Sequence, residues 1–122
     1  MSNSAIKDYK DLLVWQKGLS LAKEIYLVTR RFLSEEKFGL ISQMRRAAVS
    51  VSSNIAEGQA RNTRGEFIQF LSHAEGSLAE LDTQLRISRD LGFCSSDQSA
   101  SIGALILELQ KMLKRLRFKL TT

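Results

Sequence analysis

Apolar residues recur at spacings of three and four through most of this chain, and four periodic segments stand out at about residues 11–32, 40–57, 63–91 and 97–120. The first places Trp15, Leu19, Ala22, Tyr26 and Thr29 on one stripe, with Asp11 positioned to accept from the free amides of the first turn. A break over Ser34–Gly39 leads into the second, where Met44, Ala48, Val51 and Ile55 form the apolar face. Beside that face runs a polar row of Arg46, Ser50, Ser53 and Glu57, and Gly58 is placed to take the left-handed conformation that stops a helix. Thr63 and Glu66 make a capping-box pattern opening the third segment. Its stripe of Phe67, Leu71, Ala74, Leu78, Leu81 and Leu85 has a period near 3.5, and Gly92 ends it. The fourth begins near Asp97 and points Ile102, Leu105, Ile106, Leu109, Leu113, Leu116 and Leu120 inward.

Helices joined by such short connections are expected to lie antiparallel to their neighbours, which gives an all-α, up-down-up-down four-helix bundle. A length of 122 residues suits one domain spanning 1–122 with a single core, and the absence of proline agrees with long helices. One cysteine excludes an intrachain disulfide. The first residues lack the apolar core of a signal peptide and no stretch is apolar enough to span a bilayer, so a cytoplasmic protein without membrane insertion is expected.

Charge adds a direction to this picture. The net charge is +5, and the last twelve residues hold Lys111, Lys114, Arg115, Arg117 and Lys119 with no acid, while cations and acids elsewhere balance. At 100° per residue, Lys111, Lys114 and Arg115 face away from the Leu109, Leu113, Leu116 stripe. The expected topology gathers Lys7, Lys10, Arg61 and Arg64 at the same end as these five, against Asp8, Asp11, Glu57 and Glu66. A local excess of this kind suits RNA or another polyanion. It also suits a plainer role, since cations near a helix C-terminus interact favourably with the macrodipole. The sequence offers no aromatic stacking platform and no Gly-rich recognition loop, so binding is expected to follow phosphate charge and shape rather than base identity.

Catalysis finds no support. The only histidine, His73, has Phe70 three residues before it, where a two-metal bundle would carry glutamate, and no nucleophile or base pattern surrounds it. Cys94, beside Phe93 in a turn, reads as a packed residue because no flanking cation or second cysteine would lower its pKa. No metal or other cofactor is expected. The small and polar residues Arg46, Ser50, Ser53, Asn54, Glu57 and Gly58 are candidates for packing and assembly. Asn54 beside the core stripe can fix helix register through a hydrogen bond, and Glu57 can pair with Arg61 one turn on.

Several of these residues carry a resemblance. Trp15-Gln16-Lys17, the run Arg45–Gly58 reading RRAAVSVSSNIAEG, Glu66-Phe67, Gly76-Ser77 through Gln84-Leu85, and Leu91-Gly92 follow an order and spacing that resemble the four-helix bundle family encoded in intervening sequences of bacterial 23S ribosomal RNA genes. Leu33 departs from the proline that family often shows after its first helix, which bears on the first connection alone. The resemblance implies an antiparallel bundle that assembles as a homopentamer. It also connects the chain to the accessory variability determinant of diversifying retroelements, a relative that binds RNA and a reverse transcriptase. The implied function is a non-catalytic, ring-forming module that binds RNA or another nucleic acid, or serves as an adaptor to a protein partner such as a reverse transcriptase. The alternative is a structural or protein–protein interaction module with no nucleic-acid binding.

Overall fold

The computed structural model describes residues 8–121. Among them are four α-helices and no strand: α1 (Leu13–Thr29), α2 (Ser42–Gln59), α3 (Arg64–Asp90) and α4 (Ser96–Thr121). The packed helix pairs are α1 with α2, α2 with α3, α3 with α4, and α1 with α4. The core between them is one aliphatic cluster in which Leu21, Ile25, Met44, Val51, Ile55, Leu71, Leu78, Leu81, Ile106, Leu109 and Leu113 are fully enclosed.

The chain enters α1 differently from the expectation that Asp11 caps it. Asp8 is the cap, of a short 3-10 turn over Tyr9–Asp11: its carboxylate accepts from Lys10 N, while Asp11 accepts from Asp8 N. Leu12 then returns to extended backbone, and α1 starts at Leu13 without a side-chain cap. The buried face of α1 is likewise displaced by one position. Val14, Gly18, Leu21, Ile25, Val28 and Thr29 point inward, whereas Trp15, Leu19 and Ala22 are half-buried and Tyr26 is exposed. Gly18 explains the rotation, because an added Cβ would stand 2.7 Å from Ser52 Oγ of α2. The α1 row through Gly18 therefore approaches α2 closely enough to bury Leu21 and Ile25 with it.

At its far end α1 is closed by a residue of α2. Arg45 donates from Nε to Thr29 Oγ1 at 2.9 Å and from Nη2 to the Tyr26 carbonyl at 3.4 Å, with its guanidinium 4.5 Å from the Tyr26 ring centre. A cation is thereby held at the negative end of the α1 dipole. The connection onward is a 3-10 turn over Ser34–Glu36 and a wide helical turn over Lys37–Ile41, kinked at Gly39, before α2 begins.

Gly58 does not stop α2. The helix continues through Gln59, Ala60 caps it in right-handed conformation, and the one positive φ among the described residues belongs to Gly92. Gly58 instead lies buried against α3, where an added Cβ would meet Phe70 Cβ at 2.6 Å and Phe67 Cδ1 at 3.1 Å. Gly92 does end its helix: at φ 80 it lets its own N–H reach Arg89 O at 3.0 Å and Phe93 N–H reach Ser88 O at 2.9 Å, the paired bonds of a Schellman turn. Thr63 caps α3 as its spacing from Glu66 implies, accepting from Glu66 N at 3.1 Å, with the Glu66 carboxylate taking the Thr63 hydroxyl. A second capping box that the sequence reading passed over opens α4. Ser95 Oγ accepts from Gln98 N and Gln98 Oε1 accepts from Ser95 N.

Candidate nucleic-acid interface

The basic segment is α4 from Lys111 onward, and helical geometry keeps its cations off the core. Leu109 and Leu113 are fully buried and Leu116 and Leu120 pack at the rim, so Lys111, Lys114 and Arg115 project outward. Among the described residues these three have no ion-pair partner.

Arg117 departs from the sequence expectation. Its Nε donates to Glu75 Oε2 at 2.6 Å and its Nη2 to Glu75 Oε1 at 3.1 Å, a two-pronged ion pair between α4 and α3. Glu75 is 16% exposed and Arg117 35%. The hydrogen bond to Glu75, and then its charge, push the Arg117 pKa further above its usual value. Arg117 is thus spent inside the chain as a strut and not offered to a ligand. Sequence reasoning missed this because Glu75 lies on another helix, outside the local charge count.

The other predicted cations fall in several places. Lys114, Arg115, Arg117 and Lys119 gather around Phe118 and Thr121 at the end of α4. Arg115 and Lys119 also rim a groove floored by Leu12, Leu13, Val14, Met112 and Leu116, where α4 meets the start of α1. Lys10 lies over the Tyr9 ring at 5.6 Å, and Tyr9 in turn meets Trp15 edge-on. Arg61 is engaged with Glu57 at 3.2 Å and with the Phe70 ring at 4.8 Å, on the α2–α3 side. Arg64 is exposed at the first position of α3. Lys7 lies outside the described residues.

Phe118 changes the sequence picture more than any cation. Its ring is 70% exposed, the most open large apolar side chain described, and it stands four residues from Lys114 and three from Arg115. An aromatic surface therefore does accompany the basic strip. The signal was present as a phenylalanine off the leucine stripe, but reading the fourth segment for its core alone passed over it.

The polar residues of α2 are largely taken up within the chain. Arg46 pairs with Glu80 at 3.4 Å, and Ser50 Oγ lies 2.9 Å from Ser77 Oγ, both across to α3. Asn54 does not reach another helix. Its amide donates to Ser50 O at 2.8 Å and Ser50 Oγ at 2.9 Å, so it orients the serine that makes the crossing contact. Glu57 pairs with Arg61, and Ser53 is exposed. A double-mutant cycle of Ser50→Ala and Ser77→Ala, read by thermal melting, is expected to return a coupling of about 0.5–1.5 kcal/mol. Strict additivity would mean that the two hydroxyls do not hold each other.

His73 is exposed on α3, edge-on to Phe70 at 5.8 Å between centres. Cys94 is buried, and that burial raises its thiol pKa against the opposing charge of Arg89, which keeps it in the neutral form. Among the described residues, no three His, Cys, Asp or Glu side chains stand together as a metal site would need. No described helix is long and apolar enough to cross a membrane.

The crystal structure of a protein of unknown function from the S23 ribosomal protein family of Bacteroides thetaiotaomicron shares this fold. It matches with a TM-score of 0.78 and 24% identity, over 86% of this chain and 98% of that one. No curated protein sequence matches the chain. The sequence model of the 23S rRNA-intervening sequence proteins matches residues 10–115, from the turn before α1 well into the basic turns of α4, and the chain belongs to that family.

Proposed function

We propose that this chain is a non-catalytic helical module that assembles with copies of itself into a ring and binds RNA through the exposed cations of α4. The observation that carries the RNA part is the strip of Lys111, Lys114 and Arg115, which projects from α4 and has no acidic partner among the described residues. An antiparallel up-down-up-down course is part of this reading. It is supported by Gly18 lying beside Ser52 while Thr29 meets Arg45, and by Met44 meeting Ser88 while Gly58 meets Phe70.

Ring assembly draws support from family membership and from apolar side chains that the fold leaves outside, including Leu13 and Leu27 of α1 and Leu107 of α4. Contacts between two different faces of one subunit close into a ring when the rotation permits, and the resemblance to the pentameric bundles sets the expected number at five. A ring would repeat each basic strip and turn a weak patch into a multivalent one. The same apolar residues favour a second reading, an adaptor that holds another protein and no nucleic acid.

Light-scattering mass, measured with and without a structured RNA across a salt series, separates these readings. A mass near five chains that rises with RNA at low salt is expected. Counting the three cations of the strip, Lys111, Lys114 and Arg115, log affinity for a single strand should fall against log salt with a slope of about −2 per strip. A monomeric mass overturns the ring, and indifference to RNA at low salt overturns the nucleic-acid reading.

A further inference from the structure

Phe118 is costly to leave in water unless something covers it, and its surroundings narrow what that is. On a helix, residues three, four and seven apart share one side, so Lys111, Lys114, Arg115 and Phe118 form a single ridge rising about 1.5 Å per residue. The ring stands 70% exposed, the three cations are exposed, and none of the three has an acidic partner among the described residues. The strut from Arg117 to Glu75 on the adjoining side of the helix ties this ridge to α3, so the ring and the charges are presented by a fixed backbone.

We infer that this ridge is a binding site for single-stranded nucleic acid, in which one unpaired base stacks on Phe118 while flanking phosphates lie against Lys111, Lys114 and Arg115. The inference deepens the RNA reading above and rests on it. A duplex keeps its bases stacked on one another and offers only phosphates, whereas a single strand can turn a base out onto an aromatic face. Every base has such a face, so stacking of this kind is tolerant of sequence. An anionic membrane surface is the competing partner for cations with an exposed ring. It is disfavoured because the apolar stripe of α4, Ile106, Leu109 and Leu113, is turned into the core, and the exposed apolar side chains left on that helix, Leu107 and Phe118, stand about three turns apart and make no continuous face for insertion.

The test measures fluorescence anisotropy of the intact protein with a labelled twelve-nucleotide single strand, a blunt duplex of equal length, and vesicles containing phosphatidylserine. A second strand carrying 2-aminopurine reports stacking directly through quenching. Phe118→Leu is the principal variant, and because the ring is exposed the fold should tolerate it, as a melting curve will show. The single strand is expected to bind more tightly than the duplex and to quench 2-aminopurine, and Phe118→Leu should weaken single-strand binding about 5- to 100-fold with duplex binding unchanged. Lys114→Gln with Arg115→Gln should weaken both and flatten the salt slope by about 1.4. Equal binding of strand and duplex, untouched by Phe118→Leu, overturns the stacking site while leaving the RNA reading standing. Binding to neither overturns both. Vesicle binding that depends on Phe118, with no loss on the single strand, assigns the ring to a membrane and overturns the inference.

Discussion

Ile25→Ala is expected to lower stability by about 2–5 kcal/mol, and to lower the melting midpoint by roughly 10 °C or more. Ile25 is 0% exposed in the middle of α1, and the closely apposed α2 leaves little room for the site to collapse around the missing carbons. Tyr26, one position on, gives the contrast. It is 42% exposed and its ring chiefly supports the Arg45 guanidinium, so Tyr26→Ala should cost roughly 1 kcal/mol. A larger loss from Tyr26 than from Ile25 would mean that α1 is turned by one residue from the arrangement described.

Gly58→Ala is expected to destabilise by about 1–3 kcal/mol even though alanine is the better helix former by about 1 kcal/mol. The atom it would strike, Phe70 Cβ at 2.6 Å, is bonded to backbone and cannot swing aside, so α2 and α3 must separate. Gly76→Ala is the matched control. It lies mid-helix on the exposed side of α3 with nothing within 4 Å of an added Cβ, and should raise stability by up to about 1 kcal/mol. Opposite signs in thermal melts check the pair; a gain at both sites would show that α2 and α3 are not in close contact at Gly58.

These two positions also mark where the sequence was and was not legible. The inward faces of α2, α3 and α4 could be read because each carries one aliphatic stripe against a polar background. In α1 apolar residues occur nearly all round, from Leu13, Val14 and Trp15 to Tyr26, Leu27 and Val28, and the buried row passes through Gly18, which periodicity does not count as apolar. Glycine was misread at position 58 for a related reason: a local rule links it to helix ends, whereas its use here depends on Phe70 in another helix. At position 92 the local rule and the tertiary structure agree. The candidate interface divides in the same way. Exposure of Lys111, Lys114 and Arg115 follows from their angle to the leucine stripe, but the loss of Arg117 to Glu75 is a contact between helices that no local charge count contains. Asp8 and Ser95 were legible and passed over, since both cap by side-chain patterns that the sequence prints.

Of the packed helix pairs, α1 with α4 is the one whose members are not neighbours along the chain. The other three pairs can form as local hairpins, but this seam, bridged by Lys17 and Glu108, closes a loop that contains both α2 and α3. Loop closure therefore predicts that this seam forms late in folding and opens early, with amide exchange first reporting its separation. Arg115 and Lys119 rim the groove along this seam. A ligand that reached across this seam to side chains of both helices would bind the closed form alone and act as a splint, holding the bundle shut for as long as it stayed bound.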